Sequence, residues 1–429
     1  MNNMNKIKTK NKNKKKGVLY LALLLFCILP YNYESLVPDN MIAIFSIITN
    51  VVKLLLIVYA LLYTKKKKPS EGESRLNKKI TIYFMVSIVA NLIVSALGDN
   101  FNLYVAFTRT LSLLFVYFFI IYLSYNINNI NNYFRIFMNV SIVLLVASIL
   151  VYFFMPEIGK SYEGNGIYVF KGLALNRNSV YELIMPIIPL TLFFADNGRK
   201  KLYSILLICV VSIVIFFTKS ATSILSLSVY LVILFLDKFI KNKKRLIIGL
   251  VLTLTAIWGF TLLAIPLNKD IGFITNIFDN KSETLSGRTD IWKKAANYIK
   301  DRPLFGYGYD NQIIGDNGYN YNGVNKDFPN DTHNSILFLL LSTGLVGTAI
   351  YLYLLFISLK TSISIVSVYS KYKYLIYYII VFMFRGLTES CWHYSHLFFF
   401  SLVMIMPYVS LSINNMSDNR QQRIEDEKN

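Results

Sequence analysis

The chain has 429 residues, of which 55% are hydrophobic and 15% aromatic, and its mean hydropathy is +0.47. This composition excludes an ordinary soluble domain, because too few polar residues remain to cover so much apolar surface. The formal net charge is +20. The Lys and Arg residues of the chain lie mostly in short segments between apolar runs, so the positive charge indicates membrane topology rather than nucleic-acid binding.

Apolar runs of membrane-spanning length recur along the chain and predict an all-α polytopic membrane protein. They must be helical, because each backbone amide in lipid needs a partner within the protein. The basic start resembles a signal peptide, but LPYNYES offers no small-x-small cleavage site, which favours a retained first span. About twelve transmembrane helices are predicted, near 17–33, 41–63, 80–97, 101–124, 134–155, 179–195, 202–217, 220–236, 246–267, 335–358, 373–388 and 393–413.

Basic segments fall at alternate connections and set the predicted orientation. The tail 1–16 and the loops TKKKKPSEGESRLNKK, DNGRKK and DKFIKNKKR are all rich in Lys and Arg. The positive-inside rule then places both chain termini, including 414–429, in the cytosol. We expect the membrane to be the plasma (inner) membrane. Spans one to nine occupy 17–267 and the last three 335–413. A long extracytoplasmic loop, 268–334, lies between them.

The long loop has predicted order of its own. SGRTDIWKKAANYIKDRP has the pattern of an amphipathic helix that Ser286 or Thr289 would cap and Pro303 would end. Aromatic residues follow in and after it. Trp292, Tyr307 and Tyr309 would either stack on sugar rings or anchor the loop at the membrane interface, and the sequence leaves both interpretations open.

Several cations lie within or beside the spans. Ionisable groups there are costly and point to function, unless long side chains reach the interface from helix ends. Position favours such snorkelling for Lys53 and Lys219, and a site role for Arg109 and Arg385. With Arg288 of the loop, these cations would form an electropositive outer pocket suited to a pyrophosphate.

His333 is one of three histidines and opens an apolar helix at the end of the polar stretch PNDTHN. An imidazole there can accept a proton from a sugar hydroxyl. The simpler interpretation is a polar cap, with Thr332 or Asp331 capping the helix. His393 and His396 have no Cys or carboxylate cluster in the sequence around them, so no metal site is predicted.

The loop segment SGRTDIWKKAANYIKDRPLFGYGYDN and the following DTHNSILFLLLSTGLVG resemble the signature region of the O-antigen ligase and O-antigen polymerase (Wzy-type) family. Weaker matches lie upstream, in GLALNRNSVYELIMPIIPL and in FFTKSATSILSLSVYL. The sequence departs from the family at Ala221, where an arginine is common. The residues that carry the resemblance are Asn176, Asn178, Ser286, Gly287, Arg288, Trp292, Pro303, Gly306, Gly308, His333, Asn334, Gly344 and Gly347.

The resemblance implies a GT-C-like architecture and metal-independent, cofactor-free glycan transfer from a polyprenyl-diphosphate-linked oligosaccharide. His333 and Arg288 would be catalytic, and Trp292, Tyr307 and Tyr309 would bind sugar. The implied diphosphate-binding residues are Arg177, Lys219, Arg109 and Arg385, with Lys219 or Arg177 taking the role of the arginine absent at Ala221. Partners would be that lipid-linked substrate, membrane lipids and other polysaccharide-assembly proteins, with no nucleic acid.

Ala221 and the composition, rich in Lys, Asn and Ile, favour a polymerase of capsule, exopolysaccharide or O-antigen repeat units over a ligase. A flippase or twelve-helix carrier is the rival from another class. Carriers place their sites near the membrane midplane, whereas the unusual residues of this chain concentrate in an outer loop and the outer halves of the spans. A membrane scaffold without activity would leave the His and Arg residues of the loop unexplained.

Overall fold

The computed structural model describes residues 39–65, 68–96, 103–163, 167–174, 176–195, 199–264, 283–308 and 332–426. The N-terminal tail and the predicted first span lie outside the described residues. So do residues 265–267 at the end of predicted span nine and residues 268–282 and 309–331 of the long loop, which include Tyr309.

The described residues form fourteen α-helices, two 3₁₀ turns and one small sheet. In chain order the elements are α1 (Asp39–Thr64), α2 (Glu71–Ala96), α3 (Leu103–Tyr125), the 3₁₀ turn Ile127–Asn129, α4 (Ile130–Phe154), α5 (Pro156–Gly159), β1 (Lys160–Glu163), β2 (Ile167–Phe170), α6 (Ser179–Ile184), α7 (Ile187–Phe194), α8 (Arg199–Phe217), α9 (Ala221–Phe239), α10 (Lys243–Ala264), α11 (Glu283–Asp301), α12 (Ser335–Val368), the 3₁₀ turn Ser370–Tyr372, α13 (Lys373–Arg385) and α14 (Leu397–Asp426).

Eight helices within the described ranges are long and apolar enough to cross a membrane. They correspond to predicted spans two to five, eight to ten and twelve. Three of the remaining predicted positions are occupied by shorter apolar helical segments, which are Ser179–Phe194 (α6 and α7), Leu202–Phe217 and α13. A mostly helical, multi-pass membrane protein is thereby confirmed, while the total of twelve spans stays a prediction.

Several helices begin where polar caps predict. Ser70 and Glu73 form a reciprocal capping box at the start of α2, each side chain accepting from the other's backbone N–H. The N-cap of α9 is Ser220, whose side chain accepts from Ser223 N. Asn334 caps α12 by accepting from the backbone N–H groups of residues 336 and 337, so the cap is Asn334 and not Thr332.

Other local predictions need correction. The span predicted at 179–195 is two helices, because Pro186 lacks an N–H and its ring obstructs the preceding turn. Helix α11 begins at Glu283, so Ser286 and Thr289 lie inside it rather than at its cap. A hairpin formed by β1 and β2, antiparallel with Tyr162 opposite Tyr168, interrupts the otherwise all-α chain.

Helix α12 also differs from the single straight span that was predicted. It breaks at Gly344, whose φ of 63° and ψ of −168° are not helical. Glycine has no Cβ and adopts this left-handed conformation without steric cost. The break divides α12 into a short first segment and a long second one.

The core lies between α12, α13 and α14, with α12 packed against both α14 and α2. At one end of the bundle, Asp237 in the last turn of α9 accepts from Lys373 Nζ at 2.6 Å and from the Tyr377 hydroxyl at 2.6 Å, and pairs with Lys243 at 3.1 Å. We call this the basic end, since the predicted cytosolic loops meet there. His333 and Glu389 lie at the other end, which we call the site end.

Candidate functional site

A carboxylate at the site end collects partners from four separate segments. Glu389 lies in the turn between α13 and α14, and its side chain is only 8% exposed. Its Oε1 accepts from Thr222 Oγ1 at 3.0 Å, from Asn178 Nδ2 at 3.3 Å and from Arg288 Nη2 at 3.4 Å. Its Oε2 lies 3.6 Å from His333 Nδ1. Glu389 therefore joins the loop helix α11, the start of α12 and the membrane bundle.

These contacts fix the ionisation of Glu389. Burial alone would raise the pKa of its carboxyl group, because the charged form loses hydration. The adjacent His333 imidazole and the positive charges of Arg385 and Arg288 outweigh that cost and lower the pKa to about 2. Glu389 is therefore a permanent anion beside the imidazole at physiological pH.

His333 is held in a strained backbone conformation. Its φ is +46°, and Lys219 (φ +49°) is the other non-glycine residue with positive φ in the described part of the chain. Such strain persists only where the surroundings impose it, and it concentrates at functional sites. On one side of His333, Trp292 Nε1 on α11 donates to Thr332 O at 2.9 Å. On the other side, Asn334 is fixed by its capping bonds.

A second ionic network lies directly behind Glu389. Arg385 is fully buried, and its Nη2 donates to Asn178 O at 2.9 Å and approaches Glu182 Oε1 at 3.6 Å. Glu182 Oε2 in turn lies 2.7 Å from Nδ1 of His396. His396 thus pairs with a carboxylate, and it lies in the turn before α14 rather than within the helix. This network supports Asn178, which also binds Glu389.

The cations predicted to hold diphosphate occupy different surroundings. Arg177 and Lys219 are sequence neighbours of Asn178 and Ser220, whose side chains meet at 2.6 Å. Lys219 is exposed there. Arg385 has no exposed surface, so its guanidinium reaches a substrate only through the residues around it, and we correct its direct diphosphate role to support.

Arg109 and Lys53 lie elsewhere in the bundle. Arg109 is on α3, which packs mainly against α1 and α2 and does not supply any of the contacts to Glu389 described above. Lys53 is buried in α1 and donates to Ser112 Oγ at 3.0 Å. Snorkelling of Lys53 to the interface is therefore a wrong prediction.

The turn after α11 docks into the break of α12 and forms what we call the latch, defined by residues 303–308 and 341–346. The break exposes carbonyl oxygens on one side and N–H groups on the other, and the turn satisfies both. The bonds are Tyr307 N to Leu341 O (2.5 Å), Gly308 N to Ser342 O (2.9 Å), Leu345 N to Pro303 O (2.7 Å) and Val346 N to Leu304 O (3.2 Å). The latch couples the helix that carries Arg288 to the helix that His333 opens.

The latch accounts for two predicted sugar-binding residues. Tyr307 is 5% exposed, packs with Ala295, Leu337 and Leu341, and donates its hydroxyl to Tyr298 O at 3.2 Å. Its ring faces are covered, so its assignment to sugar stacking is corrected to packing. Trp292 is partly buried against the same cluster and fastens α11 to Thr332.

Sequence reasoning assigned neither Glu389 nor Glu182 to the site. Glu389 belongs to no motif and is 56 positions from His333. The available signal was a carboxylate in the short turn GLTESCWH, directly after the span that ends with Arg385. For Ser220 and Thr222, the only signal in the sequence was the polar segment TKS at the start of a predicted helix.

Comparison with known proteins agrees with this architecture. Residues 202–352 match the family model described as O-antigen ligase. That range includes Ser220, Thr222, Arg288, the latch and His333. A Rickettsia typhi protein described as a candidate polysaccharide ligase is 25% identical over 339 residues, which cover 73% of this chain and 77% of that protein. Both comparisons support the resemblance to the O-antigen ligase and O-antigen polymerase family that the loop motifs indicated.

Proposed function

We propose that the protein polymerises lipid-linked oligosaccharide repeat units of a bacterial surface polysaccharide. It transfers glycan from a polyprenyl-diphosphate donor to a sugar hydroxyl, at the extracytoplasmic face of the plasma membrane. The observation that carries the proposal is the buried Glu389 carboxylate, with His333 on one oxygen and Arg288 on the other. This arrangement offers a base with an orienting anion, next to a cation suited to phosphate.

The proposed step is a single inverting displacement. The acceptor hydroxyl oxygen attacks the anomeric carbon, and the bond from that carbon to the diphosphate oxygen breaks. The electron pair leaves with polyprenyl diphosphate, and the hydroxyl proton passes to Nε2 of His333. Nδ1 faces Glu389, whose charge holds the ring in this orientation and stabilises the imidazolium that forms.

Charge on the leaving group is balanced by cations. Arg288 presents five N–H donors in a planar fork, of which Glu389 takes one among the contacts described. In the proposal Arg288 binds the departing diphosphate with Arg177 and Lys219 at the rim. Arg385 and Glu182 hold Asn178 and thereby Glu389. Stabilisation by arginine replaces a metal ion in this scheme.

Ligation is the second candidate, in which the same glycan moves to a different acceptor. The description of the Rickettsia typhi relative as a polysaccharide ligase favours it. The absence of arginine at Ala221 and the Lys-, Asn- and Ile-rich composition favour polymerisation. Both reactions use the same donor and base, so they differ in product and not in the site described.

The test is transfer by purified protein, supplied with lipid-linked oligosaccharide in a buffer containing a chelator. His333→Ala is expected to lower transfer roughly 10²–10⁴-fold, because general-base catalysis contributes about that much. Glu389→Gln is expected to lower transfer by up to the same factor, because Glu389 acts through His333. Lys360→Ala, at an exposed position on α12, serves as the control. Full activity of a folded His333→Ala protein would refute the proposal. Products of increasing length indicate polymerisation, and a single addition to a foreign acceptor indicates ligation.

A further inference from the structure

The hairpin between α5 and α6 displays two aromatic rings that no catalytic role uses. Tyr162 and Tyr168 are paired across the strands, with ring centroids 5.6 Å apart and ring planes 65° apart. Their exposed fractions are 63% and 60%. A two-stranded hairpin is marginal on its own, and exposed tyrosine rings in a membrane protein mark either a ligand-binding surface or the membrane interface.

A cation lies on the same face of the hairpin. Side chains alternate along a strand, so Lys160 and Tyr162 share one face, on which their partners Phe170 and Tyr168 also lie. Lys160 Nζ is 5.8 Å from the Tyr168 ring centroid and 5.1 Å from that of Tyr152. The face therefore combines two flat apolar surfaces with two hydroxyls and an ammonium group.

The base of the hairpin is fixed to the bundle. The backbone N–H groups of Lys171 and Gly172 donate to Gly159 O at 2.9 and 2.8 Å, and Leu173 N donates to Ser148 Oγ at 3.2 Å. Phe170, at the base, is buried with its ring centroid 5.0 Å from that of Tyr152. The strands that carry the two tyrosines are thus held to the bundle at their base.

In the amino-acid sequence, the hairpin lies close to a residue of the candidate site. Asn178, which binds Glu389, is ten residues after Tyr168, a distance of at most roughly 35 Å even for extended chain. Both belong to the site end of the bundle. In the proposed reaction, a glycan whose anomeric end is at His333 extends away from the membrane at the same end of the bundle.

We propose that Tyr162, Tyr168 and Lys160 form a glycan-binding platform that holds the saccharide chain at a distance from the reacting end. A pyranose ring carries a flat row of C–H groups bordered by hydroxyls. A tyrosine ring covers the former, and the tyrosine hydroxyl and Lys160 bind the latter. This assignment rests on the proposed function, because it takes the substrate of that reaction as the ligand.

The experiment compares glycan length. Lipid-linked oligosaccharide isolated from the producing cells is separated into single-repeat and long-chain fractions, and KM is measured for each. Tyr162→Ala/Tyr168→Ala is expected to raise KM for long chains roughly tenfold, from the loss of two ring contacts. KM for the single repeat should not change. Tyr162→Phe/Tyr168→Phe keeps the rings and should retain most of the affinity, and melting temperature reports folding.

The control is Tyr203→Ala/Tyr369→Ala, which removes tyrosines of comparable exposure (51% and 45%) near the basic end. If KM rises equally for short and long substrates, the hairpin rings only anchor the protein at the membrane interface. If KM does not change for either substrate, the rings bind nothing. Either result overturns the platform while His333→Ala remains inactive. An active His333→Ala protein would instead refute the proposed function.

Discussion

Glu389 shows how one buried carboxylate can organise a site. An isolated anion with so little exposure would be expensive, since burial removes its hydration. Here Thr222, Asn178 and Arg288 bind one oxygen, and His333 approaches the other. The same contacts that compensate the charge also fix the position of the imidazole, so stability and reactivity depend on the same residue.

This coupling predicts a pH-dependent contribution of Glu389 to stability. Its pKa falls from 4.5, the ordinary value, to about 2 on folding. A depressed pKa stabilises the folded protein above the unfolded pKa, and that stabilisation is lost as pH falls towards the folded pKa. It amounts to roughly 3 kcal/mol at neutral pH. The melting temperature of Glu389→Gln should therefore lie below that of the parent by a constant amount from pH 8 to about 5.5, with the gap closing below about 4.5.

Detergent-solubilised protein followed by tryptophan fluorescence would measure that gap. The matched control is Glu71→Gln, which removes a carboxylate from an i,i+4 pair with Arg75 in which both side chains are about three-quarters exposed or more (80% and 75%). Exposed pairs of this kind contribute little, so this variant should melt near the parent at every pH. A Glu389→Gln gap that persists unchanged at pH 3.5 would contradict the ionic account.

At the scale of elements, the latch connects the two helices that position the candidate catalytic residues. A helix broken within the membrane would leave backbone groups without partners, and the turn after α11 supplies those partners. The turn and the broken helix lie so close together that Gly344 and Gly306 have no room for a side chain. A Cβ on Gly344 would lie 2.2 Å from Leu304 C and O, and one on Gly306 would lie 2.4 Å from Leu341 O.

Replacing either glycine by alanine should therefore destabilise the protein and reduce transfer. Both residues have positive φ (63° and 66°), so Gly344→Ala and Gly306→Ala incur backbone strain as well as a backbone clash. We expect each to cost at least roughly 2 kcal/mol, measured as a lower melting temperature. Gly249→Ala is the control: its added Cβ meets nothing within 4 Å, and helix propensity makes it neutral or stabilising by up to about 1 kcal/mol. A Gly344→Ala protein that melts with the parent would contradict the latch.

The latch also shows why the sequence predicted the parts of the site but not their arrangement. Helix positions follow from periodicity and composition, whereas the break of α12 at Gly344 does not. Whether Tyr307 faces a sugar or fills a gap depends on which helix its turn meets, and no local pattern records that. The tyrosine was assigned to substrate because loop aromatics in membrane enzymes look alike in sequence, whether they are docked or exposed.

At the scale of the whole molecule, local sequence patterns likewise do not predict contacts between residues that are far apart in the chain. Arg288 and His333 were predictable because each lies in a motif that resembles the family. Glu389 and Glu182 reach the site only when α6, α9, α12 and α13 pack together, so their role emerges from the tertiary structure. Charge patterning, by contrast, acts on whole loops, and it anticipated that the basic connections would meet at one end.

Because the basic end and the site end differ in charge, the orientation of the protein in the membrane can be tested. The proposed function requires the site end to face outside, because lipid-linked repeat units are polymerised there, while the basic end faces the cytosol. Lys300 is exposed on α11 and Lys241 is exposed in the α9–α10 connection. In a background with Cys27 and Cys209 changed to Ser, Lys300→Cys should react with a membrane-impermeant thiol reagent added to intact cells. Lys241→Cys should react only after the membrane is opened. The reverse pattern would place His333 and Glu389 on the cytosolic side, where the proposed transfer could not occur.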